Sequence, residues 1–344
     1  EYEQKDLAYS DEGISINANK IKLSGTGTQA NKQINLNGTV ENSATIYTKE
    51  GIKTKGLTNT GIVQAINKIK VEGNLTNKGE ILTNGSLTAK DTISTKKLIA
   101  KDGISVAKLE NSGVVATDKK LDIKGNLINK GAIQASEKIS VTNNVENSGE
   151  ILTNGSFSAK DMVTTKKLIA KEGITTDKLK NLGTVATNKD LNVNSDLLNS
   201  GKIEVSNNIL VKKNLENKGS IATNRNLNIA KDLINSGSIQ TIGKILVTEN
   251  TNNKGEILTN SSFSSKDTLS TKKLIAKDGI SVSKLENSGI VATDKILDIK
   301  DNLINKGTIQ TGGKISVTNN VDNSGEILTN SSFSAKDIKT INKL

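Results

Sequence analysis

The chain has 344 residues, 33% hydrophobic and only 2% aromatic, and it contains no histidine, cysteine, proline or tryptophan. Without imidazole or thiol, the commonest general base, thiol nucleophiles and most transition-metal ligand sets are excluded, and no cofactor is expected. The net charge of +11 comes from 47 basic and 36 acidic residues interleaved along the chain. With no aromatics to stack on bases, this reads as a solvated surface and not a nucleic-acid partner.

In chain order, residues 1–60 alternate apolar and polar side chains, as in "GISINANKIKLSG" and "KQINLNGTV", but keep no steady period. Alternation is the mark of strands, because successive side chains in extended chain point to opposite faces. From Gly61 a fixed repeat takes over. Its first position falls at Gly61, Gly79, Lys97, Gly113, Gly131, Gly149, Lys167, Gly183, Gly201 and onward to Lys343, in thirteen steps of 18 residues and three of 16. A period of this kind defines a repeat architecture.

Within a repeat, counting from the first position, aliphatic residues stand at offsets +2, +8, +10 and +14, a small residue at +4 and an amide at +16. In the repeat from Gly131 these are Ile133, Ile139, Val141, Val145, Ala135 and Asn147. The spacing predicts three short strands, +2 to +4, +8 to +10 and +14 to +16, separated by three corners of Gly, Asn, Ser, Lys and Asp. The expected fold is all-β: a right-handed parallel β-helix, since crossovers between parallel strands are right-handed in about 98% of cases. About 16 regular rungs follow the less regular first part. At about 4.8 Å per rung they predict a rod roughly 75–80 Å long.

Offset +2 is expected to hold one β-branched column, including Ile99 and Ile169 in the rungs of "KKLIAK" (starting at Lys97, Lys167 and Lys273), where two corners each lose one residue. Phe157, Phe263 and Phe333, all at +8, are expected to fill the core. The absence of proline fits a backbone whose N–H groups are nearly all needed by ladders. By parity the asparagine at +16 points inward at a corner, where amides can hydrogen-bond from rung to rung. This structural ladder comprises Asn59, Asn77, Asn111, Asn129, Asn147, Asn181, Asn199, Asn217, Asn235, Asn253, Asn287, Asn305 and Asn323, with Thr95, Thr165 and Thr271 taking the slot before each "KKLIAK". The glycine two residues later is expected to take a positive φ there.

Organisation follows the repeat: an irregular part over 1–60, then regular repeats over 61–344 in modules 79–148, 149–254 and 255–324 with a partial 325–344. Modules 79–148 and 255–324 are identical at 56 of 70 positions, and the block between them is two rungs longer. Copying whole modules changes reach without creating a site. No apolar run approaches the roughly 18 residues of a membrane span, so no membrane insertion is expected. A repeat broken off midway suggests a segment of a longer chain.

Carboxylates recur in "AKD" and "KDG", at Asp91, Asp161, Asp102 and Asp278, flanked by lysines on outer turns. Neither a calcium-binding "GGxGxD" nor a phosphate-cradling "GxxxxGK[ST]" occurs. Polysaccharide-active β-helix enzymes gather their acids in a groove walled by long loops. Loops here are short and uniform, so the chain is not expected to be an enzyme. Three lysine clusters, Lys96, Lys97, Lys101; Lys166, Lys167, Lys171; and Lys272, Lys273, Lys277, are the candidate contacts for an anionic ligand.

"NLINKGAIQASEKISV" and "DLINSGSIQTIGKILV" resemble the filamentous-haemagglutinin repeats of two-partner-secretion exoproteins, a group that includes large adhesins and the sticks of contact-dependent growth inhibition systems. The resemblance covers about residues 36–344. It implies export through an outer-membrane pore as partner, folding at the bacterial cell surface, and a role as the stalk that projects an adhesive or toxic part. The family's secretion domain is not identifiable in this chain. The alternative is that the lysine-studded surface itself adheres.

Overall fold

A computed structural model of the protein describes residues 1–340. They contain strands and turns but no helix, and every strand pairing among them is parallel. The chain divides into two compact units, Glu1–Glu172 and Gly173–Leu344, each a parallel β-solenoid of about 18 residues per coil.

Each regular coil contributes a strand to three sheets. In one coil these are Ala132–Ala135, Ile139–Val141 and Val145–Thr153, the last running on into the next coil. The register is set by the aliphatic columns: Ile133 pairs with Ile151, Leu121 with Ile139, and Leu127 with Val145. Ile133, Ile139 and Val145 are at most 1% exposed, while the intervening Gln134 is exposed. Parity therefore decides burial residue by residue. A core this narrow is filled by Ile, Val, Leu and Ala, with Phe157 and Phe263 fully buried in the second sheet; Phe333, in the last coils described, is only half-buried.

Residues 1–60 build coils of the same kind with a drifting period. Ala8 pairs with Thr28 and Ile14 with Ile34, 20 residues apart, then Ile34 pairs with Ile52 at 18 and Val40 with Leu57 at 17. The corners absorb the difference and the inward columns stay aligned.

Two expectations fail at the corners. In the "KKLIAK" coils the partner of Ile81 is Leu98, not Ile99, and Leu168 and Leu274 take the same place. Leu98 is 0% exposed and Ile99 lies half-buried on the outer face. The corner after Thr95 is one residue shorter than the Asn-x-Gly corner, so the first position is Lys96 and every side chain after it changes face relative to the 18-residue count. A second residue is lost before Leu109, since Leu87 pairs with Ile104 but Ile93 with Leu109. These tightened corners stay extended, so Leu87–Ala100 and Ile104–Thr117 each run as one 14-residue strand, bulged at both missing positions.

The second failure concerns glycine. The corner glycines do not take a positive φ; among the described residues only Gly25, Gly27, Gly103, Gly173 and Gly279 do. What the corner needs is closeness: a Cβ on Gly131 would lie 2.0 Å from the carbonyl oxygen of Gly113, and one on Gly149 2.0 Å from that of Gly131. Within the regular repeats the positive φ belongs instead to the turn of "AKDG" and "AKEG", at Gly103, Gly173 and Gly279.

Candidate functional site

Three kinds of polar array could carry chemistry: the buried amide column, the lysine clusters, and ladders on the outer corners. The amide column lies at the end of the third strand, where the chain turns through Asn-x-Gly. Asn129 Nδ2 donates to Asn147 Oδ1 at 2.7 Å, to the carbonyl of Gly131 at 3.1 Å and to that of Glu150 at 3.0 Å. Asn147 in turn donates to Thr165 Oγ1 at 2.8 Å and to the carbonyl of Lys167 at 2.7 Å. The second unit repeats the pattern, with Asn199 to Asn217, Asn217 to Asn235 and Asn287 to Asn305 at 2.7–2.8 Å. All thirteen asparagines are at most 3% exposed. Their donors are consumed inside the corner, and among the described residues no buried side-chain nitrogen or oxygen lacks a partner. The column has nothing left for a ligand.

The lysine clusters sit on the first sheet, beside that corner. In the first cluster Lys96, Lys97 and Lys101 point outward around Ile99, with Leu98 and Ala100 beneath them in the core. The middle lysine of every cluster meets the glutamate of the preceding "GEILTN" segment: Lys97 bonds Glu80 at 2.8 Å, Lys167 bonds Glu150 and Lys273 bonds Glu256. Exposed pairs of this kind are worth about 0–1 kcal/mol, yet each offsets one of its cluster's three positive charges. Lys96, Lys101, Lys166, Lys171, Lys272 and Lys277 remain exposed, with Asp118 and Asp294 one coil beyond Lys101 and Lys277. The clusters are mixed-charge surfaces.

Two features escape the repeat count. The first is a shallow groove of about 680 Å³ over the second sheet of the first unit, lined by Lys55, Lys70, Lys90 and Lys124 with the hydroxyls of Thr88 and Ser105. Its acid, Glu72, is held by Lys53 at 3.2 Å and Lys70 at 3.3 Å. Hydrogen bonds from Lys53, then Lys70, keep its carboxyl below the usual range. These lysines lie in different coils, and only the offset from the first position, +11 for Lys90 and Lys124, would have gathered them. The second is a set of ladders on the outer corners. Asp196 Oδ1 accepts from the Asn214 backbone at 3.2 Å, and Asp232 Oδ1 from that of Asn250 at 3.0 Å. These residues are polar at odd offsets, so alternation gave no reason to separate them from ordinary turn residues.

Asp91, Asp102, Asp161 and Asp278 are all exposed, and no group of three His, Cys, Asp or Glu among the described residues is arranged to hold a metal ion. Comparison with protein-family models, curated proteins and solved structures finds no match among any of them. The class is accordingly the one the coordinates define, a parallel β-solenoid repeat protein.

Proposed function

We propose that this chain is a stalk segment of a bacterial surface exoprotein, exported through an outer-membrane pore and built to hold an adhesive or toxin-delivering part away from the cell. It is non-catalytic, extracellular and not inserted in a membrane. The observation that carries the reading is the uniformity of the coils: the buried corner amides are spent on neighbouring coils, and the modular copies lengthen the array by whole coils of the same kind. The repeat resemblance supplies the secretion route. The test is to remove residues 79–148 from the intact parent protein in its own cell and map the distal part by immunogold distance from the outer membrane. The part should remain displayed but closer in, by roughly four coil spacings, about 19 Å; an unchanged distance sinks the stalk reading.

The groove of Lys55, Lys70, Lys90 and Lys124 favours a second reading, in which the surface itself holds an anionic polymer. Charge reversal of these four, and separately of the nine cluster lysines, distinguishes the two by retention on a heparin-like matrix at physiological salt. Unchanged retention in both variants removes the adhesion reading.

A further inference from the structure

Six asparagines in the chain begin an Asn-x-Ser/Thr triplet: Asn37, Asn74, Asn84, Asn154, Asn260 and Asn330. Such a triplet is the acceptor pattern for N-linked sugars when it lies on an accessible turn. Their number means little in a chain so rich in Asn, Ser and Thr. Their placement separates them.

Four of the six occupy one slot, the corner between the first and second strands, in "ILTNGS" and "ILTNSS". The middle residue changes from Gly85 and Gly155 to Ser261 and Ser331, while the asparagine and the hydroxyl at either end, Ser86, Ser156, Ser262 and Ser332, are kept. All four asparagines are exposed. The backbone is held alike on both sides of each: the asparagine N–H donates one coil back, to Ala65, Ala135, Thr241 and Thr311 respectively. The carbonyl of the hydroxyl residue accepts from Ile69, Ile139, Ile245 and Ile315. The turn's backbone is therefore tied to the coils beside it, while none of the four side-chain amides makes a hydrogen bond to a described residue. The other two triplets differ on that point. Asn37 donates to Asn17 at 2.6 Å, and Asn74 accepts from the Thr92 backbone at 3.1 Å.

From this contrast we propose that Asn84, Asn154, Asn260 and Asn330 are sites of N-linked glycosylation, one per module. The donor is a sugar activated at C1 by a diphosphate leaving group, and the catalyst is a separate transferase. The asparagine Nδ2 forms the bond to C1, the bond from C1 to the diphosphate oxygen breaks, the diphosphate leaves with the electron pair, and the amide loses one proton to the transferase's base. No oxidant or reductant is required. The serine two residues on presents its hydroxyl to the transferase and is not consumed. Within a unit the sites are 70 residues, or four coils, apart, so sugars stand about 19 Å from each other along one edge and cover the exposed corner without touching a ladder. The proposal does not depend on the stalk reading, because modification and reach are measured separately.

The experiment is site-resolved mass spectrometry of the full chain purified from its native cell. The expected result is sugar-sized additions at Asn84, Asn154, Asn260 and Asn330, with Asn37 and Asn74 bare. Ser86→Ala should abolish the addition at Asn84 alone, and Ser86→Thr should retain it; both leave the core untouched, which circular dichroism checks. Four bare sites overturn the proposal. So does a change confined to Asn84 and Asn154 with the mass of deamidation, the ordinary fate of Asn-Gly, and so does equal modification of Asn37 and Asn74. Incubating unmodified chain with cell extract and either a nucleotide-activated or a lipid-linked sugar identifies the donor: transfer from one alone names the source, and transfer from neither overturns the assignment.

Discussion

Asn147 shows how much one side chain carries in a stacked repeat. Its Nδ2 donates to Thr165 and to the carbonyl of Lys167, and its Oδ1 accepts from Asn129. Asn147→Leu removes all three bonds while keeping the branching and the number of heavy atoms in the side chain. Asn129 retains two other acceptors, but the Lys167 carbonyl and the Thr165 hydroxyl lose a donor, at about 1–3 kcal/mol per stranded group. Asn147→Thr should cost less, because a hydroxyl at this slot can accept from the coil before, as Thr95 accepts from Asn77 at 3.0 Å. The exposed Gln134→Ala should stay within about 0.5 kcal/mol. Native-state amide exchange checks the order. Protection should fall around residues 129–165 for the leucine variant and least for the alanine one, and equal protection in all three would mean that the column does not hold the corner.

At the scale of a strand, parity was legible and corner length was not. The aliphatic columns, the inward amides and the outward Gln134 follow from counting in twos, because a strand must alternate. The count holds only while each corner uses its full number of residues, and nothing in "STKKLIAK" marks which residue is missing. Two branched residues, Leu98 and Ile99, stand side by side and either would suit the core. The structure decides for Leu98, since the corner closes at Lys96 and Gly113 packs against the Lys96 carbonyl, 1.9 Å from where its Cβ would be. The glycine column was misread for a related reason: a close approach between coils leaves no trace in one coil's own turn. The lysine clusters were visible as repeats, but their glutamate partners lie 17 residues back and needed the corrected register. Leu98→Ala therefore should cost about 2–5 kcal/mol, as for any buried leucine cut to alanine. Ile99→Ala, on the outer face, should cost under about 1 kcal/mol. Urea unfolding midpoints of the two variants give the comparison, and a larger loss at Ile99 would restore the uncorrected register.

Within each unit the governing fact is that each coil touches only its neighbours, so stability is close to a sum of coil and interface contributions. That makes a strong demand on the seams between modules. Gly79 and Gly149 both open "GEILTNGS", and the carbonyl each packs against belongs to an equivalent glycine, Gly61 or Gly131, at 2.0 Å from an added Cβ in both cases. Deleting residues 79–148 joins Lys78 to Gly149 and brings Gly149 onto Gly61, a contact the protein already makes. The shortened first unit should fold with its columns in register and lose stability only in proportion to the coils removed. Spin labels at positions 70 and 158 read the result directly. They lie on one outward column of the second sheet, through Thr88, Ser105, Asp122 and Ser140, five coil steps or about 24 Å apart. After the deletion one step, about 5 Å, should remain. A separation that stays near its original value, or a variant that loses its strand signal, would mean that the modules are not interchangeable and that the coils are held by something other than their nearest neighbours.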